Sequence, residues 1–207
     1  MKSEKYYALL GRIDELESRL NTLELKFDDD IKGEYDLKNI KEFKIDKNKM
    51  IADVKQNLSL DLENKGFFVR KAIPKNDEGS GIIVENQDKS KFSKIMIKRS
   101  KNYAETSNIA DEFDFSGWFT SNDLELGEYD GYIFIVYKET VPTYFVFNKE
   151  DMNFILDQKN KDSHGRYHFY LAKDKNDQYF DHREGGLLLT GNVNAWKKIE
   201  EIALNNL

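Results

Sequence analysis

Apolar residues near the N-terminus recur at alternating steps of four and three: Leu9, Ile13, Leu16, Leu20, Leu23 and Phe27. This a/d stripe of about three heptads carries Arg12, Asp14, Glu15, Glu17, Arg19, Glu24 and Lys26 on its other faces, and it predicts a helix. Two readings are open: a helix laid on the protein's own core, or a short coiled coil that joins two copies of the chain. The stripe is narrower than most core-facing helices use. The run Asp28-Asp29-Asp30 and Gly33 end the pattern, and the polar, Lys-rich residues 34–49 read as a second helix or a linker. From Met50 the helical period returns, with Ile51, Val54, Leu58 and Leu62 on one face and Gly66 as a C-terminal stop.

β patterning follows. Residues 67–72 read as a strand, and residues 81–86 and 94–99 as a hairpin across the polar turn 87–93. Residues 132–137 are almost wholly apolar, as a central strand buried on both faces would be. Val141-Pro142 reads as a turn into a strand over 143–147, and Asn148 as the N-cap of a helix over 149–157. A further strand over 167–171 precedes a loop rich in Asp, Asn and Gly. The terminal helix over 195–207 offers Trp196, Ile199, Ile202 and Ala203 to the core. The expected organisation is a helical arm, 1–48, followed by an α/β or α+β sheet domain, 49–207.

Composition narrows the class. Of 207 residues 39% are apolar and 34% charged, while 14 Phe and 11 Tyr supply much of a core, so the chain is neither disordered nor a membrane protein. Without Cys, disulfides, zinc ribbons and thiol nucleophiles are excluded. No apolar run of about 18 residues occurs and the start of the chain carries Lys2, Glu4 and Lys5, so a cytoplasmic protein with no membrane partner is expected. A net charge of −6 argues against a strong unspecific grip on nucleic acid, though not against a local basic face.

Several motifs fail on inspection. The stretch 28–33 opens like a calcium loop, with Asp-x-Asp and a Gly at the sixth place. Lys32 stands fifth and Asn39 twelfth, where a bidentate Glu is needed. His164 and His168 share a face on a strand, and His182 would complete a metal site only if the fold brought it close. Gly79-Ser80-Gly81 lacks the helix and Lys-Ser/Thr of a phosphate loop, and no Gly-x-Ser-x-Gly elbow occurs.

The order and spacing of elements between Asn64 and Asn148 are more informative. A helix ends at Lys65-Gly66-Phe67, and a strand runs to Pro74. The hairpin strands Gly81-Ile82-Ile83-Val84 and Ile95-Met96-Ile97-Lys98-Arg99-Ser100 follow. Then come Ser116-Gly117-Trp118-Phe119, Tyr129-Asp130-Gly131-Tyr132-Ile133-Phe134-Ile135-Val136 and Pro142-Thr143-Tyr144-Phe145-Val146-Phe147. Together these resemble the PD-(D/E)XK nuclease-like superfamily over about residues 50–200. The resemblance implies a restriction-endonuclease-like fold: a mixed central sheet flanked by helices. It also implies a carboxylate opening the second strand, and on the third strand a carboxylate two residues before a Lys. Such carboxylates hold Mg²⁺, which polarises the phosphodiester and activates water. Lys98 takes the place of the family's catalytic Lys. Met96 stands where a carboxylate is needed, and a thioether is a poor ligand for a hard cation. Gly81 stands in place of the strand-opening Asp. Replacement metal ligands would come from Asp77, Glu78 or Glu85, with Glu63 on the preceding helix. Glu85 lies four residues past Gly81, roughly 13 Å along the strand, and Asp77 or Glu78 requires the turn 79–81 to fold back.

Lys89, Lys91, Lys94, Lys98, Arg99 and Lys101 make the hairpin and its exit basic. Lys91, Lys94, Arg99 and Lys101 are the candidate phosphate contacts. Alternating Lys also protects edge strands from aggregation, which needs no ligand. Tyr103 and Trp118 are rings able to stack on bases, although the neighbouring Phe113, Phe115 and Phe119 read Trp118 as core. Three functions are therefore expected in turn. The first is a nuclease-like shell with a degenerate metal site and no cofactor, binding DNA or a protein partner, dimerised through the N-terminal helix, in phage defence or on a mobile element. The second is a Mg²⁺-dependent endonuclease with a relocated carboxylate. The third is an interaction module acting through its coiled-coil arm.

Overall fold

The computed structural model describes residues 46–72, 80–183 and 186–206. The chain divides into Met1–Lys44 and Ile45–Leu207. The N-terminal stripe, the acidic run and the expected dimer contact all lie outside the described residues, as do Asp77 and Glu78.

Helix α1 (Lys47–Glu63) opens where Asp46 Oδ1 accepts the Asn48 N–H at 2.8 Å. It buries Met50, Ile51, Val54, Leu58 and Leu62, the face its period predicts. Gly66, at φ +80°, turns the chain into β1 (Phe67–Lys71). β2 (Ser80–Asn86) and β3 (Phe92–Lys101) complete an antiparallel meander with β1. β5 (Gly131–Lys138) lies parallel to β3, and β6 (Val141–Asn148) returns antiparallel beside it, giving the order β1-β2-β3-β5-β6.

The crossover between the parallel strands is itself built of β structure. β4 (Phe113–Asn122) and the short helix α2 (Asp123–Gly127) leave the first sheet. β4 then pairs with β7 (Arg166–Asp174), which continues through β8 (Tyr179–Asp181) to β9 (Leu187–Leu188) in a second, antiparallel sheet. Two cores result, one on each face of the first sheet. Ile133, Ile135 and Tyr137 of β5 pack with α1 and with α4 (Lys197–Asn205). Tyr132, Phe134 and Val136 pack with Phe115, Phe119, Phe169 and Leu171 of the second sheet and with Met152 and Ile155 of α3 (Lys149–Leu156). A strand buried on both faces must be apolar at every position, which accounts for the composition of β5. Gly117 lets β4 approach closely: a Cβ there would stand 2.5 Å from Val136 Cγ2. Beside it the Trp118 N–H donates to Ser100 Oγ at 2.9 Å.

The molecule is thus a mixed α/β domain with two largely antiparallel sheets, and it departs from the sequence reading in three places. Helices cover one face of the central sheet, but a second sheet contributes much of the cover on the other. The turn before β6 sits at Glu139–Thr140, with Glu139 at φ +54°, and Pro142 lies inside an edge strand, where its missing N–H is tolerated. Trp118 is not core. Strand alternation turns Phe115 and Phe119 inward and leaves Trp118 46% exposed on the outer face of the second sheet. Among the described residues no helix is long and apolar enough to cross a membrane.

Candidate functional site

Among the described residues, β3 extends past the end of β2. Its last pairing with β2 is Ser80 opposite Ile97, so among the described residues Lys98 to Lys101 are paired only on the β5 side. At this open edge lies a cavity of about 420 Å³, lined by Lys47 at the start of α1, by Lys98 and Arg99 of β3, by Trp118 and Thr120 of β4, and by Glu125 of α2. Among the described residues, three cationic side chains and one carboxylate line it.

Lys98 is held from three sides. Its ammonium donates to the Thr120 carbonyl, to Ser121 Oγ at 3.3 Å and to Glu125 Oε2 at 2.7 Å, which uses all three N–H groups. Glu125 is fixed in turn because its backbone N–H donates to the Asn122 N-cap side chain at 2.8 Å. Met96 shares the Lys98 face and is fully buried, opposite Gly81. A Cβ on Gly81 would stand 2.9 Å from the Ile95 carbonyl, so the backbone at the register position of a strand-opening Asp excludes a side chain as it stands.

Glu85 is not brought to Lys98. It pairs with Phe92, six residues along β3 from Lys98, or about 20 Å. Its carboxylate is nearly buried and receives the Arg70 Nε–H at 2.9 Å. Glu63 is exposed at the end of α1. Among the described residues no group of three His, Asp or Glu side chains could hold a metal ion. The three imidazoles are likewise separated by their partners: His164 contacts Ser163, His168 contacts Asp162 and Trp118, and His182 contacts Ser116.

Alternation also divides the basic run. Lys94 and Lys98 point toward the second-sheet side, four residues or about 13 Å apart, whereas Arg99 and Lys101 share the parity of Ile95 and Ile97 on the helix side. Lys91 is exposed in the turn before β3. Of the four expected phosphate contacts, the cavity gathers Arg99 alone, and Lys101 lies 5.0 Å from the Tyr103 ring centroid.

Next to the cavity the outer face of the second sheet groups Trp118, which the sequence reading named as a ring able to stack on bases, with His168 and Tyr170. Trp118 stands opposite Tyr170, and His168 lies opposite the neighbouring Thr120. The Trp118 and His168 planes differ by 6° and the Trp118 and Tyr170 planes by 20°, with centroids 5.9 and 6.5 Å apart. Trp118 Nε1–H donates to His168 Nδ1 at 3.1 Å. That bond fixes the proton of the neutral ring on Nε2, which donates to Asp162 Oδ2 at 2.9 Å. The Arg166 backbone N–H, with the His168 and Arg166 side chains, holds the Asp162 carboxyl well below the usual carboxylate range. The sequence signal for these rings was the period-two spacing of His168 and Tyr170. Glu125, in contrast, carries no sequence signal that would pair it with Lys98.

The chain matches no protein-family model, no curated protein and no solved structure.

Proposed function

We propose that this domain is a non-hydrolytic nucleic-acid-binding module of nuclease-like architecture. The observation that carries the reading is the cavity at the end of β3, lined among the described residues by Lys98, Arg99 and Lys47, with Gly81 and Met96 standing where the nuclease resemblance would put carboxylates. The order of elements supports it as well: a helix, three antiparallel strands, and a crossover to a strand parallel to the third. Lys98, paired with Glu125, anchors the cavity wall, and Lys47 and Arg99 line it as well. The chemistry left to such a site is electrostatic attraction for a phosphate backbone.

Fluorescence anisotropy with labelled oligonucleotides tests the reading. Binding is expected to be unaffected by EDTA and to weaken steeply with salt. In the Lys47→Ala/Arg99→Ala variant the slope of log K against log salt is expected to fall by about one to two, the loss of one or two phosphate contacts. Plasmid nicking that requires Mg²⁺ and disappears in Lys98→Ala would replace this reading with the endonuclease. Absence of binding to any oligonucleotide would discard both.

A further inference from the structure

The ring cluster beside the cavity has a geometry of its own. An indole N–H and an imidazole lone pair both lie in their ring planes, so a bond between them with the planes 6° apart sets Trp118 and His168 edge to edge. The Tyr170 plane lies within about 22° of both, with its centroid 6.5 Å from each, and Trp118 remains 46% exposed. Cations stand at both ends. The Lys101 ammonium lies over Tyr103, which meets Trp118 edge-on with centroids 6.5 Å apart. The Arg183 guanidinium lies over Tyr170 and donates to its hydroxyl at 2.9 Å. The carboxylate that His168 meets, Asp162, is occupied by Arg166, His168 and two backbone N–H groups.

The geometry points to a single-stranded nucleic acid as the ligand, with unpaired bases stacked on the Trp118–His168 surface and the adjoining phosphates near Lys101 and Arg183. This rests on the reading of the cavity as a phosphate-binding edge and adds what the cavity cannot supply, a preference for unpaired bases. A flat aromatic surface attracts any base through its π-face, whereas the bases of a duplex are stacked on one another and unavailable. An apolar protein partner would leave the two flanking cations without a counterpart; a strand of phosphates supplies one at each end.

The test compares a labelled 15-nucleotide oligothymidylate with a duplex of the same length, using the full chain and the variants Trp118→Ala and Trp118→Phe. Circular dichroism verifies that each variant is folded. Tighter binding of the single strand is expected. Trp118→Ala should weaken that binding roughly ten- to a hundredfold, and weaken duplex binding much less. Trp118→Phe, which keeps an aromatic face, should recover most of the loss. Equal affinities for the two probes, with no effect of Trp118→Ala, would overturn this inference. The cavity reading would survive that result if the Lys47→Ala/Arg99→Ala variant still lost its salt slope. Failure of both probes to bind would overturn the two together.

Discussion

Gly81 and Met96 face each other across the β2–β3 pair. Sequence position alone sets both residues apart from the carboxylates that a nuclease-like pattern would place there. It did not reveal that the glycine is sterically required, since that depends on how closely the Ile95 carbonyl approaches. Introducing a carboxylate there is therefore sterically costly. Gly81→Asp is expected to lower stability by about 1–3 kcal/mol through overpacking and to create no Mg²⁺ affinity. Chemical denaturation and isothermal calorimetry measure the two outcomes, and a stable variant that binds Mg²⁺ at micromolar concentration would contradict this account. Trp118 teaches the converse lesson. Three neighbouring Phe residues suggested a core position, yet adjacent strand residues face opposite ways, and the inward turn of Phe119 sends Trp118 out.

At the scale of elements, the strands with strong apolar runs and the capped helix were legible. Asn148 caps α3 as its position suggested, and a capping box with Asp151 completes the turn. β4 was missed because a register shift between Phe113 and Phe115 interrupts its period, and β8 and β9 because three and two residues are too few to show one. What joins these weak strands is a set of specific contacts. The His182 ring packs on Phe113 with centroids 4.7 Å apart, and its Nε2 lies 2.9 Å from Ser116 Oγ, linking the end of β8 to β4. Burial pushes the His182 imidazole below its ordinary value of 6.5. The unfolded chain then takes up a proton in a range where the folded chain does not. The stabilising contribution is complete above about pH 6.5 and is lost as pH falls from there toward the lower folded value. Thermal melts between pH 7.5 and pH 5 should show the midpoint declining more steeply in the wild type than in His182→Gln. Parallel profiles for the two proteins would exclude this role.

Across the whole molecule, the second sheet is held to the rest of its layer by a charge pair that nothing in the sequence announces. Lys159, three residues beyond α3, places its ammonium 2.7 Å from Asp181 Oδ2 on β8, with both side chains almost fully buried. The other carboxylate oxygen, Oδ1, accepts the Tyr170 N–H at 3.2 Å, and the ammonium lies 5.2 Å from the Phe169 ring centroid. Such a pair adds little over apolar residues of the same size, but removing one member leaves the other charge buried without compensation. Lys159→Met should therefore lower unfolding stability by about 3–5 kcal/mol. Asp181→Asn made in the same background keeps an oxygen for the Tyr170 N–H while removing the stranded charge, and should recover more than half of that loss. Urea denaturation of the wild type, both single variants and the double variant closes the cycle. A double variant no more stable than Lys159→Met alone would show that the loss lies in the packing of the lysine stem against Phe169, and that the charge of Asp181 is not what the lysine is there to balance.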